Sequence, residues 1–192
     1  MWGSARREIS VLFPSGDSHT ARPPEAVQAG AAELAPARLI PISAEGELPE
    51  GGWEALAAAP AIVFGTPTYM GGPSWQFKKV ADASSKAWAA GAWKNKLAGG
   101  FTNSASMNGD KAITLQYLVT LAMQHGMLWA GTAMMPANGK AARRDDVNWL
   151  GGFTGALAQS PADAAPEEMA QGDLETARLY GRRIAELARR PG

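Results

Sequence analysis

Three short stretches of this chain carry residue types that hold small molecules rather than fill a core. The first is Ser15-Gly16-Asp17-Ser18-His19-Thr20. Hydroxyls and free backbone N–H groups ahead of a helix make an anion site, and a phosphate would suit it. Asp17 dissents, because a carboxylate repels phosphate unless it points outward. Serine and threonine are also ordinary helix caps, so a plain capping turn is the other reading. The dinucleotide pattern G-x-G-x-x-G is missing here, and Gly139-Lys140 lacks the earlier glycine of a Walker loop. The second stretch is Thr66-Pro67-Thr68-Tyr69-Met70-Gly71-Gly72-Pro73. Pro67 stiffens it, Gly71 and Gly72 permit close approach, and Tyr69 and Met70 supply apolar contact. Such a loop can offer backbone groups to a flat heterocycle, or it is simply a rigid turn. The third runs from Thr102 to Gly109, with Asn103 and Ser104 among its small polar side chains. These could hydrogen-bond a polyol chain or the edge of a ring. His125 closes an apolar helix, where a histidine more often belongs to the core. Trp88 and Trp93 lie between a helix and a strand, where an indole either packs or covers a planar ligand.

The elements that must position these stretches follow from the hydrophobic pattern. Ile9–Phe13 reads as a buried strand that stops at Pro14. A helix is expected from Thr20 to Leu34, with Pro23 and Pro24 in its tolerant first turn. A short strand over Ala37–Ile42 and a small helix over Trp53–Ala59 follow. Ala61–Gly65 is apolar throughout, as a parallel strand covered on both faces should be. A helix over Ser74–Ala83 and a fourth strand over Leu97–Thr102 come next. Leu118, Leu121, Ala122 and His125 recur at i, i+3, i+4, i+7, predicting a helix from Asp110 to His125, with Gly126 as its stop. Met127–Gly131 begins a fifth strand. Residues 132–170 carry no strong periodicity, and a last helix spans Leu174–Arg190. The β-α alternation argues for an α/β fold with one parallel sheet and helices on both faces. In such sheets ligands bind beyond the carboxyl ends of the strands, so the three stretches should gather on one edge.

Composition sets limits on function. The 192 residues contain no cysteine, which excludes a disulfide scaffold, a zinc ribbon and a thiol nucleophile. Two histidines make a histidine-rich metal site unlike this chain, and no metal is expected. Eighteen basic and eighteen acidic side chains cancel, giving no electrostatic case for nucleic acid or an anionic membrane. No apolar run approaches the ~20 residues of a spanning helix, and Pro14 breaks the only candidate signal segment. A cytoplasmic location is expected. Residues 1–7 read as a disordered leader before a single domain over 8–192.

These stretches resemble a known family. Gly65-Thr66-Pro67-Thr68-Tyr69-Met70-Gly71 is similar to the second flavin loop of flavodoxin-like FMN proteins. The likeness is strongest to the NAD(P)H:quinone reductases of the tryptophan-repressor-binding-protein type. Ser15-x-x-Ser18-His19-Thr20 resembles that family's phosphate loop, with Ser18 where the family has glycine. Trp88-Ala89-Ala90-Gly91 resembles its Leu-Trp-Ala-Ser-Gly segment, Leu121 to Met127 its Leu-x-x-His-Gly-Met signature, and Leu174 to Gly181 its final helix. The resemblance implies a flavodoxin-like three-layer sandwich with a five-stranded parallel sheet. It implies that Ser15, Ser18, His19 and Thr20 hold the phosphate of FMN. Pro67, Thr68, Tyr69, Met70 and Gly71 would lie along the isoalloxazine, with Thr102, Asn103, Ser104 and Gly109 on its other border. His125 would be the catalytic hydrogen-bond donor and Trp88 a substrate-side group, from a neighbouring subunit of a homodimer or homotetramer. NAD(P)H would be the reductant and a quinone or similar small molecule the acceptor. Two alternatives stay open: a flavodoxin-type electron carrier, and a flavin-free scaffold protein suggested by Asp17.

Overall fold

The computed structural model describes residues 8–15 and 22–190. The expected leader 1–7 and residues 16–21, with Asp17, Ser18, His19 and Thr20, lie outside the described residues. The chain runs β1 (Ile9–Pro14), α1 (Arg22–Ala32), β2 (Ala37–Ile42), α2 (Gly52–Ala58), β3 (Ala61–Tyr69), β4 (Gly72–Pro73), α3 (Trp75–Ala83), α4 (Ser85–Ala89), β5 (Leu97–Ser104), α5 (Lys111–Gln124), β6 (Leu128–Trp129), β7 (Ala156–Gln159) and α6 (Gln171–Ala188). The main sheet is parallel, in the order β2-β1-β3-β5-β6. From β1 the chain winds first one way, to β2, and then the other, to β3. That reversal creates a crevice between the carboxyl ends of β1 and β3.

The strands alternate their side chains between two cores. Ile62 and Phe64 pack on one face with Leu12, Phe77, Trp93 and Leu118. Ala61 and Val63 pack on the other with Val11, Val27, Tyr180 and Ile184. Helices α3 and α5 cover the first face, and α1 and α6 cover the second. Helices α1 and α6 approach so closely that a β-carbon on Gly30 would lie 1.7 Å from the Arg178 carbonyl oxygen. One on Gly181 would lie 1.9 Å from that of Val27. Glycine at both positions is what lets the helix backbones touch.

The expected layers and parallel sheet are observed, with two corrections. The fifth strand does not continue through Gly131. Only Leu128 and Trp129 pair with Leu97 and Ala98; the chain then leaves the sheet and returns as β7, which pairs Ala156–Gln159 with Phe101–Ser104. One sheet position is therefore shared by two short strands, and the aperiodic residues 132–170 include the excursion between them. That excursion is anchored to the start of α6. Arg144 donates two hydrogen bonds to the Asp173 carboxylate at 2.7 and 2.5 Å, the Gln171 N–H donates to Asp145, and the Asn148 N–H donates to Thr176 Oγ1. Second, strand structure extends further into two of the expected loops. β3 runs to Tyr69 and folds back through β4, and β5 runs to Ser104. Proline is tolerated at Pro67 because the pairing of β3 with β1 has already ended at Phe64.

The seam between the two halves of the split position is closed by a side chain. Tyr180 is fully buried on α6; its hydroxyl accepts the Gly100 N–H at 3.0 Å and donates to the Ala130 carbonyl at 2.6 Å. Both backbone groups sit where the sheet ladder is interrupted, and the phenol takes the place of the missing strand. Burial pushes the phenol's pKa well up, so it stays a proton donor across the physiological range.

Candidate functional site

The carboxyl ends of β1, β3 and β5 bring Ser15, which opens the first stretch, onto one edge with the second and third stretches. Phe13, Pro14, Thr66, Pro67, Phe101 and Asn103 line a small crevice there. At the end of β1, the Ser15 N–H and hydroxyl both donate to the Ile42 carbonyl at 2.9 Å, tying the start of the first loop to β2. Of the expected phosphate residues, only Ser15 is within the described chain.

In the second stretch, hydroxyls act as internal clamps. Thr66 Oγ1 accepts the Ser74 N–H at 3.0 Å, and Ser74 caps α3 by accepting the Phe77 N–H. Thr68 Oγ1 lies 2.8 Å from Thr102 Oγ1 and 2.8 Å from Thr114 Oγ1, all three buried. This cluster ties β3, β5 and α5 together beneath the edge. The hydroxyls of Thr68 and Thr102 thus face inward. Beyond them Met70 and Gly71 form the tip of the β3–β4 hairpin, with φ of 48° and 76°. A two-residue hairpin tip with both φ positive is a type I′ turn, which normally favours Asn-Gly. A methionine there is strained, and its side chain is fully exposed beside the half-exposed Tyr69. The hairpin tip thus presents two exposed apolar side chains at the end of β3.

The third loop is organised by a residue that the sequence reading did not single out. Lys111 opens α5, yet it is 1 % exposed. Its ammonium donates to the carbonyls of Ser106 at 2.7 Å and Met107 at 2.9 Å, with that of Asn108 at 3.5 Å. Gln159 Nε2 donates to the carbonyl of Ala105, and the Ser104 hydroxyl to that of Ser106. Gly109, at φ 53°, closes the loop so tightly that a β-carbon would lie 2.2 Å from Ser104 Oγ. Two features of the sequence point to Lys111. A cation at a helix N-terminus opposes the macrodipole, and it precedes a stretch, residues 112–129, without one charged residue.

His125 and Trp88 are not brought to this edge. His125 caps the far end of α5, and fourteen helical residues span about 21 Å. Its ring stacks on Trp93 at 4.1 Å between centroids and is 6 % exposed. The Ser84 hydroxyl donates to the Ala81 carbonyl at 2.6 Å, so it accepts from His125 Nε2–H at 2.9 Å. In that tautomer the ring has no N–H left to offer, and buried Nδ1 has no hydrogen-bond partner. Burial also pushes the imidazole pKa down, keeping the ring neutral. Trp88, on α4, is exposed and shares with His125, Tyr117 and Leu121 a groove of about 380 Å³ between α3–α4 and α5.

Comparison with known proteins shows what the chain resembles. Residues 51–140 match the family described as NADPH-dependent FMN reductase. The chain is 49% identical over 177 residues to a protein of Pseudomonas aeruginosa named Flavodoxin FldP, covering 92% of this chain and 94% of that protein. It is 33% identical over 150 residues to an NAD(P)H dehydrogenase (quinone) of Geobacter sulfurreducens, covering 77% and 71%. Among solved structures, a flavodoxin, WrbA-like protein from Agrobacterium tumefaciens shares 53% identity at a TM-score of 0.76, covering 95% of this chain and 98% of that one.

Proposed function

The chain belongs to the flavodoxin-like proteins of WrbA type, an FMN-binding family, and from that premise we propose that it is an NAD(P)H-dependent oxidoreductase acting on quinones or similar acceptors. FMN, when bound, would supply the hydride-accepting redox chemistry. The chain's own residues bind and orient. The observation that carries this reading is the convergence of the β1, β3 and β5 ends, with an exposed apolar tip at Tyr69-Met70 and a polar loop at 105–109. Pro67 to Gly71 would line one border of the ring and Asn103 to Gly109 the other. Ser15 and its successors Ser18, His19 and Thr20 would receive the phosphate. Thr68 and Thr102 serve by holding the two borders at fixed separation rather than by touching the ring.

His125 and Trp88 can reach a flavin only in another subunit of a dimer or tetramer. The uncharged stretch 112–129 supports such packing, with Ile113, Met123 and Leu128 exposed along it. Among the described residues no helix is long and apolar enough to cross a membrane. A second reading, an electron carrier, is favoured by the relative named flavodoxin. Zero net charge counts against it, since carriers generally dock through charge complementarity.

The test is steady-state turnover of FMN-loaded protein with NADH or NADPH and 1,4-benzoquinone. One nicotinamide oxidised per quinone reduced is expected. Oxidation of neither nicotinamide, with electrons instead taken from an added reductase, would replace the enzyme reading with the carrier.

A further inference from the structure

We propose that Lys111 is a positioning residue that converts the third loop into a set of backbone donors for the electron-rich edge of the bound flavin. The inference rests on the FMN reading above and on peptide geometry. In a trans peptide the C=O of one residue and the N–H of the next point in opposite directions. The carbonyls of Ala105, Ser106, Met107 and Asn108 are held inward, the first by Gln159 and the others by the Lys111 ammonium. The N–H groups of Met107, Asn108 and Gly109 must therefore face away from Lys111, and that of Ser106 away from Gln159; none of the four donates to another described residue. Successive outward N–H groups form a concavity that suits an anion or an electron-rich ring edge. The cation behind them adds to the same potential. Asp173 on α6 and Arg144 from the excursion between β6 and β7 are the charged groups acting on this amine, while Asp110 beside it is exposed.

The charge on this clasp is adjustable. Burial pushes the Lys111 amine down to about 8, with Asp173 opposing and Arg144 reinforcing the shift. Affinity for FMN is therefore expected to fall as pH rises through 8. Folding stability responds with the opposite sign. The folded chain binds fewer protons than the unfolded chain between pH 8 and the unfolded value of about 10.4, so the Lys111 contribution to stability grows across that window.

The experiment compares wild type, Lys111→Met and Lys111→Gln in two measurements. The first is backbone amide order parameters of residues 105–109 in the apoprotein, which read the clasp without flavin. Wild type is expected near 0.8 and Lys111→Met below about 0.6. The second is the FMN dissociation constant from pH 6.5 to 9.5. Lys111→Met is expected to bind about tenfold more weakly at pH 7, the loss of roughly one well-oriented charged interaction. Lys111→Gln, a neutral donor, is expected to keep the loop ordered while losing the inflection near pH 8. Order parameters unchanged in Lys111→Met would overturn the proposal, as would a loosened loop with unchanged FMN affinity. Wild type that binds no FMN would defeat the cofactor reading instead, and the order parameters would still decide whether Lys111 fixes the donor set.

Discussion

Tyr180→Phe is expected to destabilise the protein by about 2–4 kcal/mol although it removes one oxygen atom. The phenol is the partner of two buried backbone groups, the Gly100 N–H and the Ala130 carbonyl. Deleting it leaves both unsatisfied, at about 1–3 kcal/mol each. Gly99 packs against the same hydroxyl, so closely that a β-carbon there would meet it at 2.6 Å. For a chain of this length the loss corresponds to a fall in Tm of roughly 5–15 °C, readable by calorimetry. A change below about 0.5 kcal/mol, the range of ordinary surface substitutions, would mean that the two half-strands close the seam unaided.

Gly181→Ala, at the next position, is expected to cost about 3 kcal/mol through a different contact. Its β-carbon would fall 1.9 Å from the Val27 carbonyl oxygen and 2.7 Å from the carbonyl carbon, both backbone atoms of α1. Neither can rotate aside, so α1 and α6 must separate, at the upper end of what overpacking usually costs. Helix α1 follows directly on the first loop, so the displacement is also expected to weaken FMN binding. Gly71→Ala is the useful contrast. Its φ is 76°, yet nothing lies within 4 Å of the added carbon. It should cost only the left-handed backbone preference, about 1–2 kcal/mol. Equal losses for the two variants in denaturant titration would contradict the close-packed account of α1 and α6.

Much of this architecture is legible in the sequence. The apolar run Ala61–Gly65 and the periodicity through Leu118, Leu121 and Ala122 located β3 and α5 to within a few residues, because burial on two faces and on one face leave different patterns. The split of the fifth strand was not legible. Leu128-Trp129 is too short to carry a pattern, and Ala156–Gln159 is a four-residue strand of small residues inside an aperiodic segment. The site was legible at the level of loops, since proline, glycine and hydroxyl clusters after strands are local signals. Which way each group faces was not. Thr68 and Thr102 looked available, but their hydroxyls are committed to each other and to Thr114 across three elements. Lys111 falls outside every motif of the sequence, and its burial comes from the carbonyls of the third loop that fold over it. His125 was correctly read as the end of a helix, but its distance from the ligand edge depends on which end of the sheet that helix finishes at.

The proposed function requires that the β1, β3 and β5 ends form a flavin site. Its most direct test is titration of the purified apoprotein with FMN, followed by the visible spectrum after desalting. We expect quenching of flavin fluorescence at one equivalent per chain and a retained, structured absorption band near that of bound flavin. A protein that stays colourless after desalting and leaves FMN fluorescence unchanged would contradict the account and leave a flavin-free scaffold as the reading that survives.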